Sequence, residues 1–168
     1  MILKTNIRFL FFTAIAMLLL AGCLKKITYP TTPVIKFGTF TRYVNAQGAD
    51  SAANIAITYT DGEGDIGLTQ GDTIAPYVGT FYYNCFLEYY EKQNGIWVKP
   101  PINPPFYYRI PPLINGDGQA IEGTIGIRLS APFFSPSAFD TIKFSIKIAD
   151  RALHESNVVE TPEIVVVK

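Results

Sequence analysis

Ile142, Phe144, Ile146 and Ile148 alternate with Lys143, Ser145 and Lys147. A strict period of two puts the apolar side chains on one face and the polar ones on the other, which a strand does and a helix does not. The pattern recurs. Ala53, Ile55, Ile57 and Tyr59 alternate with Asn54, Ala56, Thr58 and Thr60, and Ile121, Gly123, Ile125, Ile127 and Leu129 with Glu122, Thr124 and Arg128. Phe81, Tyr83, Cys85, Leu87 and Tyr89 share one face of a further segment, and Tyr82, Asn84, Phe86, Glu88 and Tyr90 the other. Residues 34–44 and 158–167 read as the first and last strands, with Pro162 marking a bulge or edge. Asn94-Gly95 is a two-residue hairpin signal, with 96–99 as its return strand. Pro100, Pro101, Pro104 and Pro105 push residues 106–110 to a sheet edge.

No amphipathic helix is legible after residue 22. The expected fold is therefore all-β: an immunoglobulin- or fibronectin-like antiparallel β-sandwich of seven to eight strands over residues 34–168. A small closed barrel is the alternative. The 12 Phe, 10 Tyr and 12 Pro of the 168 residues suit strands and turns.

Residues 1–22 carry Lys4 and Arg8, then an apolar run from Phe9 to Leu20. This reads as a secretory signal-peptide helix that precedes the sandwich, too short and wrongly flanked to be a stable spanning helix. Leu20-Ala21-Gly22-Cys23 resembles a bacterial lipobox, which implies cleavage before Cys23 and acylation of that residue. Several acyl chains make such an anchor stable. Residues 23–33, with Pro30 and Pro33, then form a lipidated, semi-extended tether. No Asp follows Cys23, which favours the outer membrane over the inner. Lys25-Lys26 stands where surface-exported lipoproteins often carry acids, which favours the periplasmic side over the cell surface.

Without residues 1–22 the chain holds 12 basic and 14 acidic side chains, too balanced to suggest nucleic acid as a partner. With Cys23 acylated, Cys85 is the lone thiol of the domain. Its place on an apolar strand face makes it a small core residue, so no disulfide is expected.

Asp61-Gly62-Glu63-Gly64-Asp65-Ile66-Gly67 follows the strand at 53–60 and concentrates charge and backbone freedom. Three carboxylates at alternate positions could serve calcium, which takes six to eight oxygens. The stretch is not an EF-hand: Ile66 holds the sixth position and Asp72 the twelfth. In a seven-strand sandwich the loop before the last strand lies at the same end. That would add Asp150, with Asn157 as a further candidate, to Asp61, Glu63 and Asp65. The competing reading is a solvated acidic turn whose side chains cap backbone N–H groups.

Residues 58–68, Thr-Tyr-Thr-Asp-Gly-Glu-Gly-Asp-Ile-Gly-Leu, resemble the Asp-Gly-Asp-Gly-Asp-Ile-Gly stretch of a group of Bacteroidota lipoproteins, with Glu63 in place of the central Asp. Residues 89–97 fit the same group. Residues 150–157, Asp-Arg-Ala-Leu-His-Glu-Ser-Asn, are similar to the Asp-x-Ala-Gly-Asn-x-Ser stretch before the last strand of many bacterial Ig-like domains. Leu153 stands where that pattern has Gly, and His154 where it has Asn. The resemblance implies an envelope location and an Ig-like domain, and names no activity.

His154 is the sole histidine and reads as a surface side chain, with no nucleophile-elbow motif to accompany it. One Gly-rich run rarely gives two carboxylates the unequal environments that glycoside hydrolysis needs. The function expected is a non-catalytic binding or assembly module of the envelope. A glycan-binding accessory lipoprotein of a nutrient-uptake system is the alternative, with Tyr82, Tyr90, Trp97 and Tyr107 as candidate platform residues. A hydrolase ranks last.

Overall fold

The computed structural model describes residues 28–113 and 118–168. The signal sequence, Cys23 and the first half of the tether lie outside the described residues, as does most of the turn at 115–118.

Among the described residues, nine strand segments form two antiparallel sheets. β1 (Val34–Val44), β2 (Asp50–Asp61) and β6 (Ile121–Leu129) make a three-stranded sheet in the order β1-β2-β6. The second sheet is centred on β3 (Cys85–Gln93) and β7 (Thr141–Ile148). The short segments β4 (Ile96–Val98) and β5 (Phe106–Tyr108) both pair with the outer edge of β3. β8 (Val159–Glu160) and β9 (Ile164–Val165) both pair with the outer edge of β7. Each pair is one edge strand broken in the middle. Pro100–Pro105 interrupts the first and Pro162 the second, because proline has no N–H to give the ladder. Counted that way, seven strands form the expected immunoglobulin/fibronectin-like sandwich.

The period-two faces meet between the sheets. Ile55, Ile57 and Leu129 face Leu87, Phe144 and Ile146, all buried. Burying each such side chain contributes roughly 1.5–3 kcal/mol, so this layer supplies most of the stability. Phe144 sits at its centre, edge-on to Tyr89 at 5.6 Å and to Phe106 at 5.8 Å. Cys85 is fully buried among these residues, and burial pushes its thiol pKa up to about 12. Gly123 takes an inward position because the Tyr59 ring fills the space beside it, with its hydroxyl 2.8 Å from where a Cβ would stand. Asn94 and Gly95 both have positive φ, the geometry of the expected tight hairpin.

One strand starts later than its alternation suggests. Residues 79–82 form a short 3-10 turn, and β3 begins only at Cys85. The whole stretch from Gly62 to Asn84 is thus a connection between the two sheets. Arg109 holds it down, donating to the carbonyls of Thr69, Asp72 and Tyr82.

Candidate metal centre

β2 ends in Asp61, whose side chain the last ladder pair, Asp61 with Ile121, places at the rim of the core. It has no exposed surface. The chain then folds back over the rim rather than out into water: Gly64, Ile66, Gly67 and Leu68 are all buried. The solvated part of the turn reading is therefore corrected, while its capping part holds: Asp61 and Asp65 side chains accept backbone N–H groups. Apolar Ile66 and Leu68 belong to the core and pull the loop inward.

The glycines permit this by close approach. A Cβ on Gly62 would lie 2.3 Å from the Tyr29 carbonyl oxygen. One on Gly64 would lie 2.3 Å from the Gln119 carbonyl oxygen, and one on Gly67 2.5 Å from the Pro111 carbonyl oxygen. Three remote segments thus press on one loop, and hydrogen bonds hold them there. The Gly62 N–H donates to Pro30 O at 2.8 Å, the Gly118 N–H to Glu63 O at 2.7 Å, and the Leu68 N–H to Ile110 O at 2.8 Å. The tether's last residues are consequently part of the fold. Tyr29 also donates its hydroxyl to Glu122.

A fourth segment arrives from β7. The backbone bond from Ala149 N–H to Asn84 O carries the chain into Asp150, which is 1% exposed. The Asp150 carboxylate closes its own loop, accepting the His154 N–H at 2.8 Å and facing the His154 Nδ1 at 3.0 Å. That loop contacts the first one directly: the Arg151 N–H donates to Asp65 O, and the Ala152 N–H to Asp65 Oδ2 at 3.2 Å.

As a result, one carboxylate oxygen each from Asp61, Asp65 and Asp150 lies within 4.8 Å of the others. Asp61 Oδ2 accepts the Asp65 N–H at 3.0 Å, yet Asp61 Oδ1 and Asp65 Oδ1 are buried with no hydrogen-bond partner among the described residues. Burial, then the neighbouring charges of Asp65 and Asp150, raise the Asp61 pKa. Burial and the Asp65 charge likewise raise that of Asp150, against the pull of the His154 contacts. The arrangement is an anionic, partly desolvated cage made of hard oxygen donors.

Of the residues singled out from sequence, Asp61, Asp65 and Asp150 come together. Glu63 is not in the group; its backbone carbonyl is what holds a neighbouring segment. Asn157 turns the other way, bracketing the backbone of Ile35 by donating to its carbonyl and accepting its N–H. His154 is exposed, as expected, but engaged with Asp150. The Arg151–Asp72 pair, bonded through both guanidinium nitrogens at 2.6 and 3.0 Å, was not foreseen. It ties the long connection to the β7–β8 loop and holds the Asp72 carboxyl well below the usual carboxylate range. No local sequence signal marks two residues 79 positions apart.

The aromatic candidates divide. Tyr90, Trp97 and Tyr107 lie on the second sheet, while Tyr82 sits in the 3-10 turn with the Arg109 guanidinium 4.6 Å from its ring centroid. Phe86, on the strand face opposite Cys85 and Leu87, is 5% exposed, edge-on to Tyr107 and beneath Lys147. Lys143 stands 5.0 Å from the Trp97 ring and 5.6 Å from the Tyr90 ring. The Tyr107 hydroxyl donates to Glu88 at 2.6 Å.

Searches of protein-family models, curated proteins and solved structures find no match to this chain.

Proposed function

We propose that this protein is a lipid-anchored, non-catalytic binding or assembly module of the bacterial outer membrane, held through acylated Cys23 and facing the periplasm. The observation that carries the reading is the docked stem. Pro30 is pinned to Gly62 of the Asp61 loop and Tyr29 to Glu122 of β6, and Tyr29 stands only six residues after Cys23. Six residues span at most about 20 Å, so the aspartate end of the sandwich stays near the bilayer. The strands then carry the opposite end outward by roughly 40 Å, the length of a 12-residue strand such as β2. That outer end exposes Tyr43, Val44 and Ile96.

Two observations favour a partner protein over the alternatives. Ammonium groups of Lys143 and Lys92 cover the Tyr90 and Trp97 rings where a sugar would have to stack. Asp61 and Asp150 are shut away from solvent, so a glycoside cannot reach them.

Cells fed an alkyne fatty acid should label the full chain, and Cys23→Ser should abolish the label and release the protein from membranes. A photo-cross-linking residue at Ile96 should then capture protein, and one at Ile74, on the anchored side, should capture much less. An unlabelled wild-type chain, or cross-links confined to Ile74, would overturn the reading.

A further inference from the structure

We propose that Asp61, Asp65 and Asp150 bind one calcium ion, and that the ion staples together the loops at the anchored end of the sandwich. Three carboxylates gathered in one place do not by themselves make a site. Here a second, independent feature points to a ligand. Asp61 is wholly buried, and its Oδ1 has no donor to meet it among the described residues; Asp65 is half-buried, and its Oδ1 is likewise shut from solvent without a partner. A buried carboxylate oxygen without a partner costs several kcal/mol unless a cation or proton meets it.

The spacing suits calcium. Oxygens 2.3–2.6 Å from one ion can be at most about 4.6–5.2 Å apart, and these three lie within 4.8 Å. The donors are hard oxygens, which zinc and copper do not prefer. The Arg151 guanidinium bonds both oxygens of Asp72. The remaining hydrogen bonds position the carboxylates rather than neutralise them. The Asp65 N–H holds Asp61 Oδ2, the Ala152 N–H holds Asp65 Oδ2, and the His154 N–H holds Asp150 Oδ1. Asp61 and Asp65 each keep one oxygen without a partner among the described residues, while Asp150 Oδ2 faces the His154 Nδ1 at 3.0 Å. Water and backbone carbonyls would complete the six to eight ligands calcium takes.

The consequence is mechanical. Asp61 and Asp65 belong to the loop on which the stem, residues 110–112 and residues 118–119 rest, and Asp150 to the loop before β8. A calcium ion joins the two loops, and through Gly62 it steadies the stem that follows the lipid anchor. The opposite end of the sandwich has no share in this.

The test uses residues 23–168 with Cys23→Ser, which contain every described residue and so the whole core. The protein is melted in EDTA, in calcium chloride and in magnesium chloride. Calcium at 100 times its dissociation constant should raise the Tm by roughly 5–10 °C, and magnesium at the same level by much less. Amide exchange at Gly62, Asp65 and Arg151 should slow with calcium, while that at Asn94 stays unchanged. Asp65→Asn keeps the acceptor for the Ala152 N–H and loses the charge. It should lose the calcium response and melt in EDTA at or above the wild-type temperature, because a repulsion has gone. Asp150→Asn serves as the second variant, with the same loss of response. Glu63→Gln should respond like the wild type. The proposal fails if calcium at 10 mM leaves the Tm unchanged, if magnesium matches calcium, or if Asp65→Asn and Asp150→Asn still respond.

Discussion

Strand β2 begins and ends with a buried aspartate. At its start, Asp50 is 4% exposed and its carboxylate is fully met. Arg42 from the adjacent strand bonds both oxygens at 2.8 Å, and the Val167 N–H donates to Oδ2 at 2.8 Å. At its end, Asp61 meets a backbone N–H on one oxygen, nothing on the other, and two further carboxylates nearby. One strand thus contains two solutions to the same electrostatic problem. The Asp50 end carries its counter-charge in a neighbouring side chain, so its carboxylate is satisfied by the chain alone. The Asp61 end draws acids from two loops and leaves two of their oxygens without a partner among the described residues. A buried charge is costly unless paired, so the second arrangement makes that end conditional on its surroundings.

Backbone packing differs in the same direction, and the largest effect should test it. Gly67→Ala drives a Cβ into the Pro111 and Pro112 backbone at a positive φ, so it should cost on the order of 3 kcal/mol in denaturant unfolding. Gly48→Ala, at a positive φ but with nothing within 4 Å, should cost only about 1 kcal/mol. Equal costs would break the contrast between the ends. Arg42→Ala strands Asp50 without its cation and should cost about 2 kcal/mol, discounted for the exposure of Arg42. That loss should be the same in calcium and in EDTA; a calcium-dependent loss would mean the ends are coupled.

Smaller effects sharpen the picture. Leu153 adopts φ +67 in the Asp150 loop, a left-handed conformation that suits glycine. Leu153→Gly should therefore stabilise by up to about 1 kcal/mol; a destabilisation would mean that Leu153 packing outweighs its backbone strain. The smallest effect should be on pH. Arg151 depresses the Asp72 pKa, so that pair contributes stability above the ordinary carboxylate range and loses it as pH falls through that range and below. Asp72→Asn should flatten the acid limb of a stability profile between about pH 5 and pH 2. An unchanged limb would remove this pair from the account.

Much of the fold is legible in residues 34–168 because inter-sheet burial obeys a local rule. Ile142 to Ile148 alternates whether or not its partners are known, and the same holds for β2 and β6. Asn94-Gly95 announces its turn by its own backbone preference. The start of β3 was misread because Phe81 and Tyr83 continue the alternation, while Arg109, far along the chain, binds the carbonyl of Tyr82 and keeps that stretch out of the sheet. For the site, the Asp-Gly run and the expected topology pointed to Asp61, Asp65 and Asp150, but they could not separate those residues from Glu63 and Asn157.

Sequence alone determined that residues 34–168 are all-β, where most of the strands run, and that the acids after β2 stand apart from the rest. These follow from side-chain period and turn chemistry, which act between residues close in the chain. Tertiary structure decided which carboxylates are buried, which two oxygens lack a partner, and that Tyr29 and Pro30 are docked against Gly62. Those outcomes depend on where remote backbones meet at the rim of the core. The solvation of a charge is set by everything that surrounds it, and that is assembled only when both sheets close.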